Sequence, residues 1–329
     1  MKTILVTGGA GYIGSHACKA LAAAGYLPVT FDNLVHGHRW AVRWGPLVEG
    51  DILDRAALDA AFGQFKPDAI IHFAAFAYVG ESVTNPGKYY RNNTAGSLNL
   101  LEAARDWKVD QLVFSSTCAT YGMPDAVPIS EQQQQRPINP YGASKLMIEQ
   151  MLRDFWTAHG LRSIALRYFN AAGADPQGDI GECHEPEPHL IPLVLDAAAG
   201  LRPNVTINGD QHPTADGTCV RDYIHVSDLA QAHVQALQAL ESGHAGGAYN
   251  LGNGRGFSVR EVIAMAGAVT GRAVEARVGP ARMGDPPILV ADSNLARSEL
   301  GWQPAFAELQ DIVATAWRWH QRDAAKRPA

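Results

Sequence analysis

The stretch ILVTGGAGYIG, residues 4–14, decides the fold of this chain. Its apolar start predicts a buried strand over residues 2–7, and the amphipathic pattern of residues 12–24 predicts the helix that follows. Between the two, Gly8, Gly11 and Gly14 are spaced as G-x-x-G-x-x-G. Glycines at these places permit a tight turn, close approach of a ligand to the backbone, and close packing of the helix on the strand. The stretch therefore predicts a strand–turn–helix unit that binds a dinucleotide.

Asp32 indicates which dinucleotide is bound. It ends a second predicted strand, Leu27–Asp32, and lies about 20 residues beyond the glycine turn, where a carboxylate accepts hydrogen bonds from the adenosine ribose. Because a carboxylate would repel a 2'-phosphate, we expect NAD rather than NADP. Five residues stand where adenine and ribose contacts fall in such sheets: Asp51, Ile52, Phe73, Ala74 and Ala75. A helix cap and plain strand packing explain these five equally well.

Short apolar strands alternate with amphipathic helices through the first half of the chain. Further strands are predicted over residues 69–75, 111–115 and 163–167, and further helices over residues 55–65, 92–107 and 144–159. Parallel strands need crossover helices, so this alternation predicts an α/β fold with a doubly wound, Rossmann-like parallel sheet.

The second half of the chain changes in character. Residues 170–217 are rich in Gly, Pro, Asp and His around one predicted helix, 190–200, so we place the domain change there. Strands over residues 223–226 and 248–251, around a helix over 227–240, are expected to rejoin the large sheet, and a helix over 308–321 ends the fold. We expect an NAD-binding domain of residues 1–170, with 222–251 rejoining its sheet. Residues 171–329 form a smaller, interleaved substrate domain.

Composition excludes several classes of protein. A chain of 329 residues with 47% hydrophobic side chains can bury a large core, and its net charge of -6 without a basic cluster argues against nucleic-acid and membrane partners. No apolar run approaches the roughly 20 residues that span a bilayer. The four cysteines are far apart, without metal-ligand spacing, so we expect free thiols and no metal site. A chain that begins directly on a strand is expected to be cytoplasmic.

Tyr141 and Lys145 are the candidate catalytic pair. They stand four positions apart in PYGASK, residues 140–145, at a helix start, so both emerge on one face. A phenol has an ordinary pKa of about 10, but a nearby ammonium and an oxidised nicotinamide both favour the phenolate. Thr117 follows a predicted strand and is the candidate hydroxyl for the reacting oxygen, while Ser115 and Ser116 are expected to cap the turn. Y-x-x-x-K is common by chance, but it gains weight downstream of the glycine turn.

Several motifs together resemble the extended short-chain dehydrogenase/reductase superfamily: TGGAGYIGSH, DNL, GDI, FSST, PYGASK, RYFN and VRDYIHV. Within it the chain is similar to the UDP-glucose 4-epimerase family, over residues 2–319. The resemblance implies that Tyr141 takes the proton of the sugar 4-hydroxyl as hydride passes to NAD, that Lys145 binds the nicotinamide ribose, and that Thr117 polarises the oxygen. The 4-keto sugar then turns in its pocket and is reduced on the opposite face. A tightly held sugar could not turn, so binding must rest on the UDP.

The resemblance also implies which other residues bind ligands. Besides the glycines, Asp32 and the five residues that follow the third and fourth strands, it places these at the cofactor: Tyr12, Ile13, Asn33, Asn92 and Tyr168. At the substrate it places Asn170, His189, Leu190, Asn208, Arg221, Tyr223, Arg282, Asp285 and Leu289. Guanidinium groups suit a diphosphate, although nearby Asp222 and Asp285 offer both arginines a salt bridge instead. A homodimer paired through residues 92–107 and 144–159 is implied as well.

Other functions stay open at this stage. Leu289 is of intermediate size at a position that decides whether 2-acetamido sugars fit, so UDP-N-acetylhexosamines and UDP-pentoses remain candidate substrates. A nucleotide-sugar dehydratase would follow Thr117 with an Asp-Glu pair, but Cys118 and Ala119 stand there. A non-catalytic NAD sensor would need neither Tyr141 nor Lys145. Ala77 replaces a lysine that reaches the cofactor in some members.

Overall fold

The computed structural model describes residues 1–282 and 285–323, and its centre is a seven-stranded, all-parallel sheet. The strands are β1 (Thr3–Thr7), β2 (Leu27–Asp32), β3 (Leu47–Glu49), β4 (Ala69–His72), β5 (Gln111–Thr117), β6 (Arg162–Tyr168) and β11 (Gly247–Leu251). Their order across the sheet is β11-β6-β5-β4-β1-β2-β3. The order reverses between β1 and β4, and at such a point the carboxyl ends of the strands leave a crevice for a ligand.

Helices cover both faces of this sheet, as the doubly wound pattern predicted. They are α1 (Tyr12–Ala23), α2 (Arg55–Phe65), α5 (Gly96–Asp106), α6 (Pro140–His159) and α8 (Val226–Glu241). Two short helices, α3 (Val79–Thr84) and α4 (Pro86–Tyr89), pack against α6. Successive side chains of β1 alternate between two cores, since Ile4 and Val6 pack in one cluster and Leu5 in the other. This two-sided burial explains why the strands are almost continuously apolar.

The remaining elements form smaller sheets and a separate core. The strands are β7 (Asn170–Ala172), β8 (Val205–Asn208), β9 (Val220–Arg221), β10 (Tyr223–His225), β12 (Phe257–Ser258), β13 (Ala276–Gly279) and β14 (Ile288–Leu289). The helices are α7 (Leu190–Ala198), α9 (Val259–Thr270), α10 (Asn294–Glu299) and α11 (Leu309–Asp323). Helices α7, α9 and α11 share one apolar cluster apart from the large sheet. The division at residue 170 stays a prediction.

Three local expectations need correction. The strand at 248–251 joins the large sheet beside β6, but the strand at 223–226 does not, because β10 pairs with β7. Ser115 and Ser116 do not cap a turn, since β5 runs on to Thr117, whose hydroxyl caps the next turn by accepting from Ala119 N at 3.1 Å. The helix expected from residue 92 begins as a π-helical segment, Tyr90–Ala95, before α5.

Among the described residues, no helix combines the length and the apolar composition that crossing a bilayer requires. The four cysteines, all within the described residues, form no disulfide.

Candidate functional site

One cavity of about 1240 Å³ opens at the carboxyl ends of the sheet and reaches the smaller sheets. It is lined by every residue predicted for cofactor, substrate or catalysis except Asp51. Asp51 lies beside it, where its Oδ2 accepts a hydrogen bond of 2.9 Å from Asn33 Nδ2. The structure thus brings together side chains that are as far apart in the chain as Gly8 and Leu289.

The glycine turn is closely fitted at two of its positions. Gly8 has a φ of +74°, and a Cβ there would lie 2.6 Å from Ala74 N. A Cβ on Gly14 would lie 2.1 Å from Gly8 O, so helix α1 can approach β1 only without a side chain. Gly11 is the N-cap of α1 and provides no side-chain cap, so the first N–H groups of the helix remain available to an anion.

Asp32 is held rigidly at the end of β2. Its Oδ2 accepts from Ala10 N at 3.0 Å and its Oδ1 from Leu34 N at 2.8 Å. Burial raises the pKa of this carboxyl above its ordinary value, and the two backbone N–H groups act in the opposite direction. The carboxylate therefore faces the cavity in a fixed orientation, with acceptor capacity left for a ligand hydroxyl.

Helix α6 is packed closely against the turn that follows β5. Asn139 caps the helix by accepting from Gly142 N at 2.8 Å, with Pro140 at the first helical position. A Cβ on Gly142 would lie 2.4 Å from Ala119 O. This close approach brings the first turn of α6, which carries Tyr141, next to Thr117 at the end of β5.

Burial controls the ionisation of the Tyr141/Lys145 pair. Burial raises the pKa of Tyr141 above the ordinary value, the neighbouring Tyr168 adds to the rise, and the Thr117 hydroxyl opposes it. Burial lowers the pKa of Lys145 to about 7, against the attraction of Glu149. Lys145 Nζ donates to Ser115 O at 2.8 Å. In the ligand-free protein the phenol therefore stays protonated, and a cation in the cavity is needed to favour the phenolate.

Sequence reasoning missed the buried ion pair that fixes α6 to the sheet. Glu149, on the same face of α6 as Lys145, accepts from Arg167 Nε at 2.9 Å and from its second terminal nitrogen at 2.6 Å. Ser116 Oγ donates to the same carboxylate at 2.6 Å and Gln135 Nε2 at 3.1 Å. These bonds set the position of the helix relative to β5 and β6. Glu149 follows Lys145 at the i,i+4 spacing, which could have indicated a pair.

The arginines on the substrate side have different partners. Arg221 forms an ion pair with Asp285, and its guanidinium is largely buried. Arg282 lies 3.2 Å from the side-chain amide of Asn208, whose oxygen accepts from it. Asp222 pairs with neither arginine, because its carboxylate accepts the backbone N–H groups of Asn253, Gly254 and Ala291. Both guanidinium groups line the cavity. The sequence left open a salt bridge between Arg282 and Asp285, but Asp285 pairs with Arg221 instead.

A histidine–glutamate cluster, which the sequence analysis also missed, lines the cavity between β7 and α7. It consists of Glu182, His184, Glu187 and His189, whose donor atoms all lie within 4.8 Å of one another. Burial alone would lower the pKa of His189, but the Glu182 carboxylate outweighs it and the pKa rises to about 10. The spacing E-x-H-x-x-E-x-H was the available signal.

One histidine and two tryptophans of the smaller sheets and α11 are structural. His225 is buried, caps α8 and lies 3.0 Å from Thr315 Oγ1, as expected of a core histidine. Trp319 is buried and donates from Nε1 to Glu182 O at 2.9 Å, while Trp317 packs partly buried in the cluster of α7, α9 and α11. Ala77 lines the cavity with a methyl group only.

Comparisons with known proteins agree with this geometry. Residues 4–252 match the NAD dependent epimerase/dehydratase family. The UDP-glucose 4-epimerase of Rhizobium leguminosarum bv. trifolii is 52% identical over 321 residues, which cover 98% of both chains. The crystal structure of the Brucella ovis UDP-glucose 4-epimerase in complex with NAD superposes with a TM-score of 0.95 at 52% identity, over 97% of this chain and 99% of that one.

A second solved structure contains both NAD and a nucleotide sugar. The Stenotrophomonas maltophila UDP-glucose-4-epimerase with bound NAD and formylated UDP-arabinopyranose superposes with a TM-score of 0.96 at 41% identity. The alignment covers 99% of this chain and 100% of that one. Similarity therefore extends over both the large sheet and the smaller sheets, and it includes the whole cavity.

Proposed function

We propose that this chain, which belongs to the NAD dependent epimerase/dehydratase family, interconverts UDP-galactose and UDP-glucose as an NAD-dependent 4-epimerase. The observation that supports this most strongly is that the glycine turn, the Tyr141/Lys145 pair and the arginines of the smaller sheets line one continuous cavity. Such a cavity has room for a dinucleotide and a nucleotide sugar side by side.

The residues fit NAD. The glycine turn and the uncapped start of α1 leave space and N–H groups for a diphosphate. A Cβ on Gly14 would collide with Gly8 O and so push the start of α1 away from the turn. The fixed Asp32 carboxylate suits a ribose with free hydroxyls. NAD, when bound in its oxidised form, supplies a hydride acceptor for the sugar C4 and a positive charge beside Tyr141.

The chain's own groups perform the proton chemistry. With a cation near it, Tyr141 can hold the proton that leaves the sugar 4-hydroxyl and return it in the reverse direction. Thr117 is placed to donate to the same oxygen, because its own oxygen already accepts from Ala119 N and its hydroxyl proton is free to turn. Lys145 lies one helical turn away, anchored to Ser115 O, and would bind the nicotinamide ribose of the cofactor.

The substrate side favours anchoring by the nucleotide. Arg221 and Arg282 provide charged donors to a diphosphate, and Asn170, His189 and Leu190 line the same cavity. Leu289, in β14, offers only an apolar surface to the sugar. This distribution of strong and weak contacts lets a 4-keto sugar turn while the UDP stays bound. A 4-epimerase of UDP-N-acetylhexosamines or UDP-pentoses is the alternative within the same chemistry.

The test is a coupled assay of UDP-galactose conversion without added reductant, repeated with UDP-N-acetylgalactosamine and UDP-arabinose. We expect activity on UDP-galactose, and a decrease of kcat of about 10²–10⁴-fold in Tyr141→Phe, the range that a general base contributes. Tyr26→Phe is the matched control, since the Tyr26 hydroxyl bonds Glu241 outside the cavity, and it should keep full activity. Near-full activity of Tyr141→Phe would remove the proposed base.

The homodimer and the cytoplasmic location are also proposals. Leu98 on α5 and Met147 on α6 are 39% and 45% exposed and lie on one face, since Thr94, one turn before Leu98, contacts Met147. A pair of these helices from a second copy would cover them. We expect light scattering to give twice the chain mass, and Leu98→Glu with Met147→Glu to give the monomer. Four cysteines without a disulfide between them support a reducing compartment.

A further inference from the structure

The donor atoms of the histidine–glutamate cluster converge on one point. Glu182 Oε1 lies 2.7 Å from His189 Nδ1 and 3.2 Å from His184 Nδ1. Glu187 contributes Oε1 at 2.9 Å from His189 Nδ1 and Oε2 at 3.6 Å from His184 Nδ1. Four ligands about 2.0–2.1 Å from a tetrahedral ion would lie roughly 3.3 Å apart, so these separations match a small divalent ion.

Hydrogen bonding accounts for only part of this convergence, since it joins His189 Nδ1 to Glu187 Oε1 at 2.9 Å. Glu182 Oε1 and His184 Nδ1 are buried and have no hydrogen-bond partner among the described residues, although each faces other members of the cluster at close range. The Glu182 side chain is only 7% exposed. Buried carboxylates are ordinarily paired, hydrogen-bonded or metal-bound, so an oxygen with close neighbours but no hydrogen bond points to a missing ligand.

The cluster is also held in place by its surroundings. Trp319 Nε1 donates to Glu182 O at 2.9 Å, and a Cβ on Gly181 would lie 2.3 Å from the Trp319 ring. His38 Nε2 lies 2.7 Å from Cys183 O. The ring of Tyr12 meets His184 edge-on at a centroid distance of 6.2 Å. The backbone that carries the ligands is therefore fixed from the side of α1 and from α11.

We propose that the histidine–glutamate cluster binds one divalent transition-metal ion, of which Zn²⁺ is the best fit. Two imidazole nitrogens and two carboxylate oxygens are a donor set that Zn²⁺ accepts, and the two carboxylates balance its charge. Four protein ligands close the coordination sphere, so the ion is structural and fixes the segment between β7 and α7 against the cavity wall. The expectation of no metal came from the cysteines, and this cluster contains none. The inference does not require the proposed epimerase reaction, although the cluster lines the same cavity and its His189 then serves the ion rather than the substrate.

The experiment uses the full-length protein with whatever NAD it retains, treated with EDTA, desalted and titrated with Zn²⁺. We expect one Zn²⁺ per chain by calorimetry and by elemental analysis. Because even outer-shell partners of metal sites change affinity by about 10–100-fold, His184→Gln with His189→Gln should weaken binding by at least about 100-fold. His159→Gln is the control, since His159 is exposed at the end of α6, and it should bind as the unaltered protein does.

Thermal unfolding keeps the proposal testable if the double variant is less stable. Zn²⁺ should raise the Tm of the unaltered protein and of His159→Gln, and should leave the Tm of the double variant unchanged. Glu182→Gln should also lose the rise in Tm. Three results would each overturn the assignment. They are a stoichiometry far below one Zn²⁺ per chain, equal Zn²⁺ binding in the double variant, and Zn²⁺ binding that is lost in Cys183→Ser but kept in the double variant. The first of these results would mean that the cluster is an ion-paired network of imidazolium and carboxylate groups.

Discussion

The buried pair of Glu149 and Arg167 allows a prediction whose magnitude follows from the structure. Their side chains are 2% and 6% exposed, and two nitrogen–oxygen contacts of 2.9 and 2.6 Å join them. The perturbations are Glu149→Leu, Arg167→Leu and the double replacement. Each single change leaves one charge buried without its partner, whereas the double change removes both charges together.

Removing one partner of a buried pair costs about 3–5 kcal/mol of unfolding free energy, whereas replacing both by apolar side chains is often close to neutral. Here Ser116, Gln135 and Tyr121 also lose a partner, and an unsatisfied buried group costs about 1–3 kcal/mol. We therefore expect each single variant to lose about 3–5 kcal/mol. The double variant should lose far less than the sum of the two, with a coupling of at least about 3 kcal/mol.

The assay is equilibrium unfolding in urea, followed by tryptophan fluorescence and by helical circular dichroism. Arg55→Leu is the control, because Arg55 pairs with Asp59 and Asp106 at the exposed surface, where an ion pair contributes about 0–1 kcal/mol. Single variants that lose less than about 1 kcal/mol, or additive losses in the double variant, would show that this pair does not fix α6 to the sheet.

Three other variants test separate parts of the account. Gly14→Ala should lose bound NAD and about 1–3 kcal/mol of stability, because its Cβ would meet Gly8 O. Gly267→Ala in α9 is the control and should be neutral or stabilising. The NAD content of the two purified variants is the measurement, and full NAD content in Gly14→Ala would contradict the prediction. Burial lowers the pKa of His72 to about 3. As the pH falls below about 6.5, His72 is therefore protonated in the unfolded chain but not in the folded one, and the unfolding free energy decreases. His72→Asn should make that decrease shallower by up to about 1.4 kcal/mol per pH unit, and an unchanged slope would contradict the buried neutral histidine. Leu289→Ala should raise turnover of UDP-N-acetylgalactosamine relative to UDP-galactose, and an unchanged ratio would mean that Leu289 does not contact the sugar.

Local rules explain what the sequence predicted well. The close approach of Gly14 to Gly8 O is a local steric constraint, and the β–α alternation is visible in the period of the apolar side chains. The start of α6 was readable in the same way, since Pro140 and the residues after it are typical of a helix N-terminus, but the predicted helix began only at residue 144.

What the sequence could not predict depends on contacts between distant residues. The short strand β10 pairs with β7 through a register that no local pattern specifies. Arg221 forms its ion pair with Asp285, which is 64 positions away, and not with its neighbour Asp222. The histidine–glutamate cluster lies in a proline-rich segment without helical or strand period, so only its spacing of ligand types could have indicated it.

The fate of the hydrogen on the sugar C4 tests the central claim most directly, because the account requires that hydrogen to leave and return inside one cavity shared by cofactor and sugar. UDP-galactose is converted by the purified protein in D₂O, and the UDP-glucose formed is analysed by mass spectrometry and proton NMR. The account predicts product with no deuterium at C4. Incorporation of solvent deuterium at C4 would contradict it.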